Sequence, residues 1–262
     1  MKKVWLYTSL LVLTLTSLHS TEWCDTECAK KYGEYAELSK EIYAGSQIVN
    51  KWERIKDYSQ EFCPTSKYGR ALGFGRIREV CSDFVKIGLH LSIYQNRKTK
   101  KYVIVIEGTQ PTDVDDLLTD IVQLTNVLDA PKQYKLAREY VKKLINDGVL
   151  DKEAIITGHS LGGGIAQYVA KSFGMDAYTF NPAGLSSSTL DDAEEFFLKN
   201  GYNSDSFIFH IISNNNRGQR DLVSDYGILL GSQKFMYVNK SNVLDLHSID
   251  NLSEALDKSK EN

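Results

Sequence analysis

The sequence has little surplus of charge of either sign. Its 262 residues carry 31 basic and 34 acidic side chains, a net of −3 at neutral pH. A basic nucleic-acid footprint is therefore not expected. No internal repeat or low-complexity tract is visible. Past the first twenty residues no apolar run approaches the ~20 residues that span a bilayer. These absences exclude a collagen-like repeat, a disordered chain and a polytopic membrane protein. Cysteine is scarce: Cys24, Cys28, Cys63 and Cys81 all fall in the first third. Their spacing lacks the two close C-x-x-C pairs that mark a zinc site. No phosphate loop or other cofactor motif is present, so no cofactor is expected. What remains is ordinary globular composition, with 42% apolar and 25% charged residues.

The N-terminus stands apart. Lys2 and Lys3 precede an apolar run from Val4 to Leu18 diluted by Thr and Ser, and Glu22 comes soon after. This layout predicts a secretory signal peptide over residues 1–20, with cleavage after Ser20. Export to a secreted, periplasmic or extracellular location is then expected. In that compartment an even cysteine count predicts two disulfides, with three pairings open. They would staple the N-terminal segment, residues 21–84, to the main body. Residues 21–262 are expected to form a single domain.

Apolar residues recur at three- and four-residue spacing across 25–60, among them Tyr32, Tyr35, Leu38 and Ile42, which predicts helix. Residues 64–80 are turn-rich. Residues 85–94 and 102–106 read as strands joined by a polar turn, a hairpin. The second strand is apolar on both faces, as a central strand should be. Further helices are expected at 116–129, 133–146, 161–173 and 248–256. Further strands are expected at 153–157, 178–181, 206–213 and 233–238. This alternation argues an α/β fold with a mostly parallel central sheet flanked by helices and an N-terminal helical segment.

The chemistry concentrates at Gly158-His159-Ser160-Leu161-Gly162-Gly163-Gly164, a G-x-S-x-G between a strand and a helix. That context is the nucleophile elbow, which strains the serine and exposes its hydroxyl. Side chains at 158 and 162 would collide there. Gly163 and Gly164 allow close approach of helix and strand. A serine needs a base, and the base an orienting acid, in the order Ser, acid, His. His19 and His90 precede the elbow, and His159 adjoins the serine and cannot easily fold back onto it. His210 lies inside an apolar strand and reads as a buried structural residue. His247, between the last strand and the last helix, is the preferred base. Asp221 is the preferred acid, with Asp225 the near rival and Asp205 a distant one.

These motifs, in this order, resemble the class-3 (fungal-type) lipase family of α/β-hydrolases. The matching blocks are Ile106-Glu107-Gly108-Thr109, Asp116-Leu117-Leu118-Thr119-Asp120, the elbow, Phe180-Asn181-Pro182, Asp221-Leu222-Val223 and His247-Ser248. The resemblance implies a catalytic Ser160, Asp221 and His247. It also implies an oxyanion hole from Thr109 and the backbone N–H of Leu161. Glu107 and Leu117 replace the family's usual Arg and Trp, so support for the Thr109 loop must differ. The expected activity is hydrolysis of carboxylic esters of lipids, triacylglycerol lipase or phospholipase A-type, with transient contact to a lipid surface. A short-chain esterase or thioesterase, or a catalytically silent binding protein, are the alternatives. Apolar residues between Leu117 and Leu128 could form a lid, an acyl wall or an ordinary packed helix.

Overall fold

The computed structural model describes residues 23–57, 89–109, 129–202 and 206–261. Expectations for the signal peptide, Cys63, Cys81, residues 64–80, the 116–129 helix and its Leu117–Leu128 apolar stretch, and Asp205 lie outside the described residues.

The order along the chain is α1 (Thr26–Glu41), β1 (Ile48–Val49), β2 (Trp52–Asp57), β3 (Leu91–Asn96), β4 (Tyr102–Ile106), α2 (Lys132–Asn146), β5 (Ile155–His159), α3 (Leu161–Phe173), β6 (Ala177–Phe180), α4 (Ser187–Lys199), β7 (Ile208–Asn214), β8 (Ser232–Tyr237), α5 (Val243–His247) and α6 (Ile249–Lys260). Among the described residues the strands form one eight-stranded sheet in chain order. β1 to β4 pair antiparallel, and β4 to β8 pair parallel. Parallel neighbours need crossovers; α2, α3 and α4 lie in the first three, and the fourth, from β7 to β8, carries only the short 3-10 turn Val223–Asp225.

β4 shows why the sheet is buried on both faces. Ile104 and Ile106 join a core with Tyr134, Val141, Ile165 and Phe173 of α2 and α3. Val103 and Val105 point the other way, into a core with Tyr32, Leu38, Leu252 and Leu256 of α1 and α6. Alternation of side chains along a strand does this automatically. The β3–β4 hairpin forms as expected. Its turn is held by Asn96 Oδ1, which accepts from the N–H groups of Lys98 and Thr99, with Lys100 left-handed at φ 62°.

Three expectations need correction. The helix read across 25–60 ends at Glu41, and Gly45 in the left-handed region comes after it. The residues beyond form the β1–β2 hairpin, whose turn carries Asn50 at φ 52°. α4 has no counterpart among the helices expected from the sequence. Ser186 caps it by accepting from the Thr189 N–H, and Leu190, Ala193, Phe196 and Phe197 recur at helical spacing behind the cap, so both signals of a helix were present in the sequence. The disulfide staple also differs: Cys24 bonds Cys28, four residues on, which closes a loop within the N-terminal segment and does not reach the main body. The segment is tied to the body instead by the packing of α1 described above and by a bridge from Trp23 to Phe235, with the Cys24 N–H donating to the Phe235 carbonyl at 2.8 Å. Among the described residues no helix is long and apolar enough to cross a membrane.

Candidate active site

β5 runs into α3 through Ser160, whose backbone sits at φ 57°, ψ −130°. A non-glycine residue there is strained, and surrounding packing must hold it. The glycines around it have the reasons the spacing predicted. A Cβ on Gly158 would lie 2.5 Å from the Gly162 carbonyl carbon, and one on Gly162 would lie 2.2 Å from the Ile106 carbonyl oxygen. Gly163 and Gly164 let α3 pack on Pro182 and Ala183, beyond β6.

Three side chains distant in sequence meet at this turn. Ser160 Oγ lies 2.8 Å from His247 Nε2. His247 Nδ1 lies 2.8 Å from Asp221 Oδ1. A carboxylate only accepts, so the imidazole proton belongs on Nδ1, and Nε2 is left to accept from the Ser160 hydroxyl. The second Asp221 oxygen accepts from the Ser224 N–H at 3.0 Å and the Ser224 hydroxyl at 2.8 Å. All three residues are buried, Ser160 to 1% exposure. An exposed hydroxyl was expected, so this is a correction. A cavity of about 550 Å³ lies alongside, lined by Thr109, His159, His247 and the end of α1.

His247 closes α5, a short helix, where a loop was expected. Its carbonyl oxygen accepts from Asn181 Nδ2 at 3.1 Å, and Asn181 also bonds Ser213. Asn181 stands at φ 44° after β6 and so ties β6, β7 and α5 together. The rivals go elsewhere. His210 is buried on β7 between Thr179 and the Leu230 carbonyl, and burial pulls its pKa down to about 4. Asp225 pairs with Arg220 at 3.4 Å near the surface.

The Thr109 loop leaves the end of β4 beside the serine: a Cβ on Gly108 would lie 3.1 Å from Ser160 Cβ. Thr109 is exposed. Leu161 opens α3, so its N–H is among the donors a helix start leaves without an internal acceptor. Glu107 finds its support in His90 Nδ1, and His90 Nε2 lies 3.4 Å from Asp57 Oδ1. Asp57 in turn holds Arg54 at 2.7 Å. Burial lowers the His90 pKa, but Asp57 and Glu107 outweigh it and raise it to about 9. Sequence reasoning missed His90, Asn181 and Tyr43, whose hydroxyl meets both Gly108 and His159. Among the described residues no cluster of His, Cys, Asp or Glu suits a metal ion.

The mostly parallel sheet flanked by helices, with a serine on the turn from β5 into α3, is the frame of an α/β-hydrolase fold. A family model described as a Tle-like phospholipase domain matches residues 34–210, from α1 to β7. The chain belongs to that family, and the lipase-like resemblance read from its motifs is borne out. An extracellular phospholipase A1 of Serratia liquefaciens is 32% identical over 163 residues, which cover 61% of this chain and 44% of that protein. The chain thus matches under half the length of that relative. Among solved structures, a triacylglycerol lipase from Penicillium expansum superposes with a TM-score of 0.49 at 12% identity, covering 83% of this chain and 81% of that one. An esterase of Pyrobaculum calidifontis gives 0.39 at 14% identity, covering 90% and 91%. The family match stops short of Asp221 and His247.

Proposed function

We propose that this protein is an exported serine hydrolase that cleaves carboxylic ester bonds of lipids, with phospholipids of the phospholipase A type as the favoured substrates. The observation that carries the chemistry is the Ser160–His247–Asp221 line, with both contacts at 2.8 Å. The family and the Serratia relative support the lipid substrate.

In this reading Ser160 Oγ bonds to the ester carbonyl carbon as its proton passes to His247 Nε2. Asp221 holds the imidazole and stabilises its cation. The carbonyl oxygen becomes an alkoxide facing Thr109 and the Leu161 N–H. Each such donor is worth about 2.7–4 kcal/mol of barrier. The tetrahedral species collapses, the ester C–O bond breaks, and His247 returns the proton to the leaving alcohol. Water then releases the acyl group by the same route reversed. The N-terminal signal-like segment and the Cys24–Cys28 disulfide support export.

The test is a lipid panel with purified mature protein, alongside labelling by a fluorophosphonate probe. Wild type should take the probe and release fatty acid from phospholipid vesicles, and Ser160→Ala should do neither while keeping its circular dichroism. Cleavage of soluble short-chain esters alone would replace the lipid reading with a small-ester hydrolase. No labelling of folded wild type would leave a silent binding protein.

A further inference from the structure

We propose that Tyr43 and His159 are positioning residues that lock the Thr109 loop to the backbone of the base His247. The inference rests on the reading of Ser160 and His247 given above, and deepens it.

His159 adjoins Ser160, yet its ring serves other partners. Its Nε2 lies 2.7 Å from the His247 carbonyl oxygen, and its Nδ1 lies 3.1 Å from the Tyr43 hydroxyl. The ring is buried, and burial followed by the neighbouring His247 holds its pKa down to about 3. It is therefore neutral near pH 7 and carries one N–H. A carbonyl oxygen only accepts, so that proton must sit on Nε2. Nδ1 is then an acceptor, and the Tyr43 O–H donates to it. Burial pushes the Tyr43 pKa up, so this hydroxyl keeps its proton. Its oxygen accepts in turn from the Gly108 N–H at 3.1 Å.

Every hydrogen in this relay has one possible direction. It runs from the Gly108 N–H through Tyr43 and the His159 ring to the His247 carbonyl. It joins the Glu107–Gly108 peptide, one residue short of Thr109, to the carbonyl of His247, across the tip of β5. Gly108 sits tight in this arrangement: a Cβ there would fall 2.5 Å from the His159 carbonyl oxygen and 2.8 Å from the Tyr43 hydroxyl. A misplacement of about 1 Å at a reacting centre can cost about a hundredfold in rate. A relay that sets the spacing between oxyanion donor and base therefore acts on kcat more than on binding. Neither residue exchanges a proton with substrate in this scheme.

The experiment uses the full mature chain and a soluble ester, p-nitrophenyl butyrate. Tyr43→Phe removes the bridging hydroxyl and little else. We expect kcat to fall about 10- to 100-fold while KM stays within about twofold, and fluorophosphonate labelling to slow in parallel. Thermal unfolding reports the folded fraction, by which each rate is corrected. His159→Asn keeps an acceptor near the Nδ1 position and loses the link to His247. Adding Tyr43→Phe to it should cost less than about threefold further, because the relay is already cut. Additive losses in the double variant would overturn the proposal, as would unchanged kcat in Tyr43→Phe. A wild type that neither turns over nor takes the probe would overturn the Ser160 reading and this proposal together. A reactive wild type matched by an equally reactive Tyr43→Phe would overturn this proposal alone.

Discussion

Replacing Asp221 by Asn changes a single atom, and the surrounding donors decide the outcome. Oδ2 of Asp221 accepts from both the N–H and the hydroxyl of Ser224. In Asp221→Asn one of the two positions must become an NH₂. Turned toward Ser224, that NH₂ would face the backbone N–H, which only donates. A buried donor so stranded costs about 1–3 kcal/mol. The amide oxygen therefore stays with Ser224 and the NH₂ turns to His247 Nδ1. Nδ1 must then give up its proton, which moves to Nε2 and faces the Ser160 hydroxyl it should accept from. The base is in the wrong tautomer while every heavy atom is in place. Such a change costs about 10⁴-fold in kcat in a serine triad, roughly 5 kcal/mol of barrier. The assay is kcat and KM on a soluble ester, with thermal unfolding as the control for folding. Activity within about tenfold of wild type, in a variant that unfolds at the same temperature, would refute the role given to Asp221.

His247→Ala should lose turnover as severely as Ser160→Ala, whereas His210→Ala at equal folded fraction should retain most of it, since the His210 ring bonds Thr179 and the Leu230 carbonyl, away from the serine; the reverse ranking in a kinetic assay would show the wrong base. Gly162→Ala places a methyl 2.2 Å from the Ile106 carbonyl oxygen, so it should destabilise by about 3 kcal/mol or more and lower the midpoint of urea unfolding, and a wild-type midpoint would contradict the packing described. The pKa of His90 is raised to about 9 against an unfolded value near 6.5, so its ion pairs contribute full stability below pH ~6.5 and lose it as pH rises through about 9. Melting temperatures measured from pH 7 to 10.5 should fall more steeply in wild type than in His90→Gln, and parallel curves would argue against the Glu107–His90–Asp57 arrangement.

The parts of the site legible in the sequence were those with local signatures. The elbow needs glycine at 158 and 162 for steric reasons confined to one turn, and the strand before it and helix after it show their own periodicities. His247 could be preferred because His210 lies in an unbroken apolar run, which is a burial signal. β4 announced itself by being apolar at every position. The β1–β2 hairpin was hidden for the opposite reason. β1 is only the two residues Ile48 and Val49, β2 carries four charged residues among its six, and β2 is defined by pairing with β3, some forty residues away. The stop was signalled by Gly45, four residues past Glu41, but Ile48, Val49 and Trp52 beyond it still fall at helical spacing and disguise the end of the helix.

His159 shows the limit most clearly. Next to Ser160, it is set aside as the base because it cannot easily fold back onto the serine, and its ring bonds other partners in the structure. What it does instead depends on Tyr43, 116 residues earlier, and on a carbonyl 88 residues later. The departure at Glu107 was visible, but its partner His90 sits on the approach to a neighbouring antiparallel strand, and nothing in spacing along the chain names it. Residue order alone determined the kind of sheet, the serine at the elbow and the chain order of its candidate partners, because periodicity and turn sterics act over a few residues. Only tertiary structure decided the tautomers, the loop supports and the burial of Ser160, because hydrogen-bond direction and desolvation depend on atoms that folding brings together from remote parts of the chain.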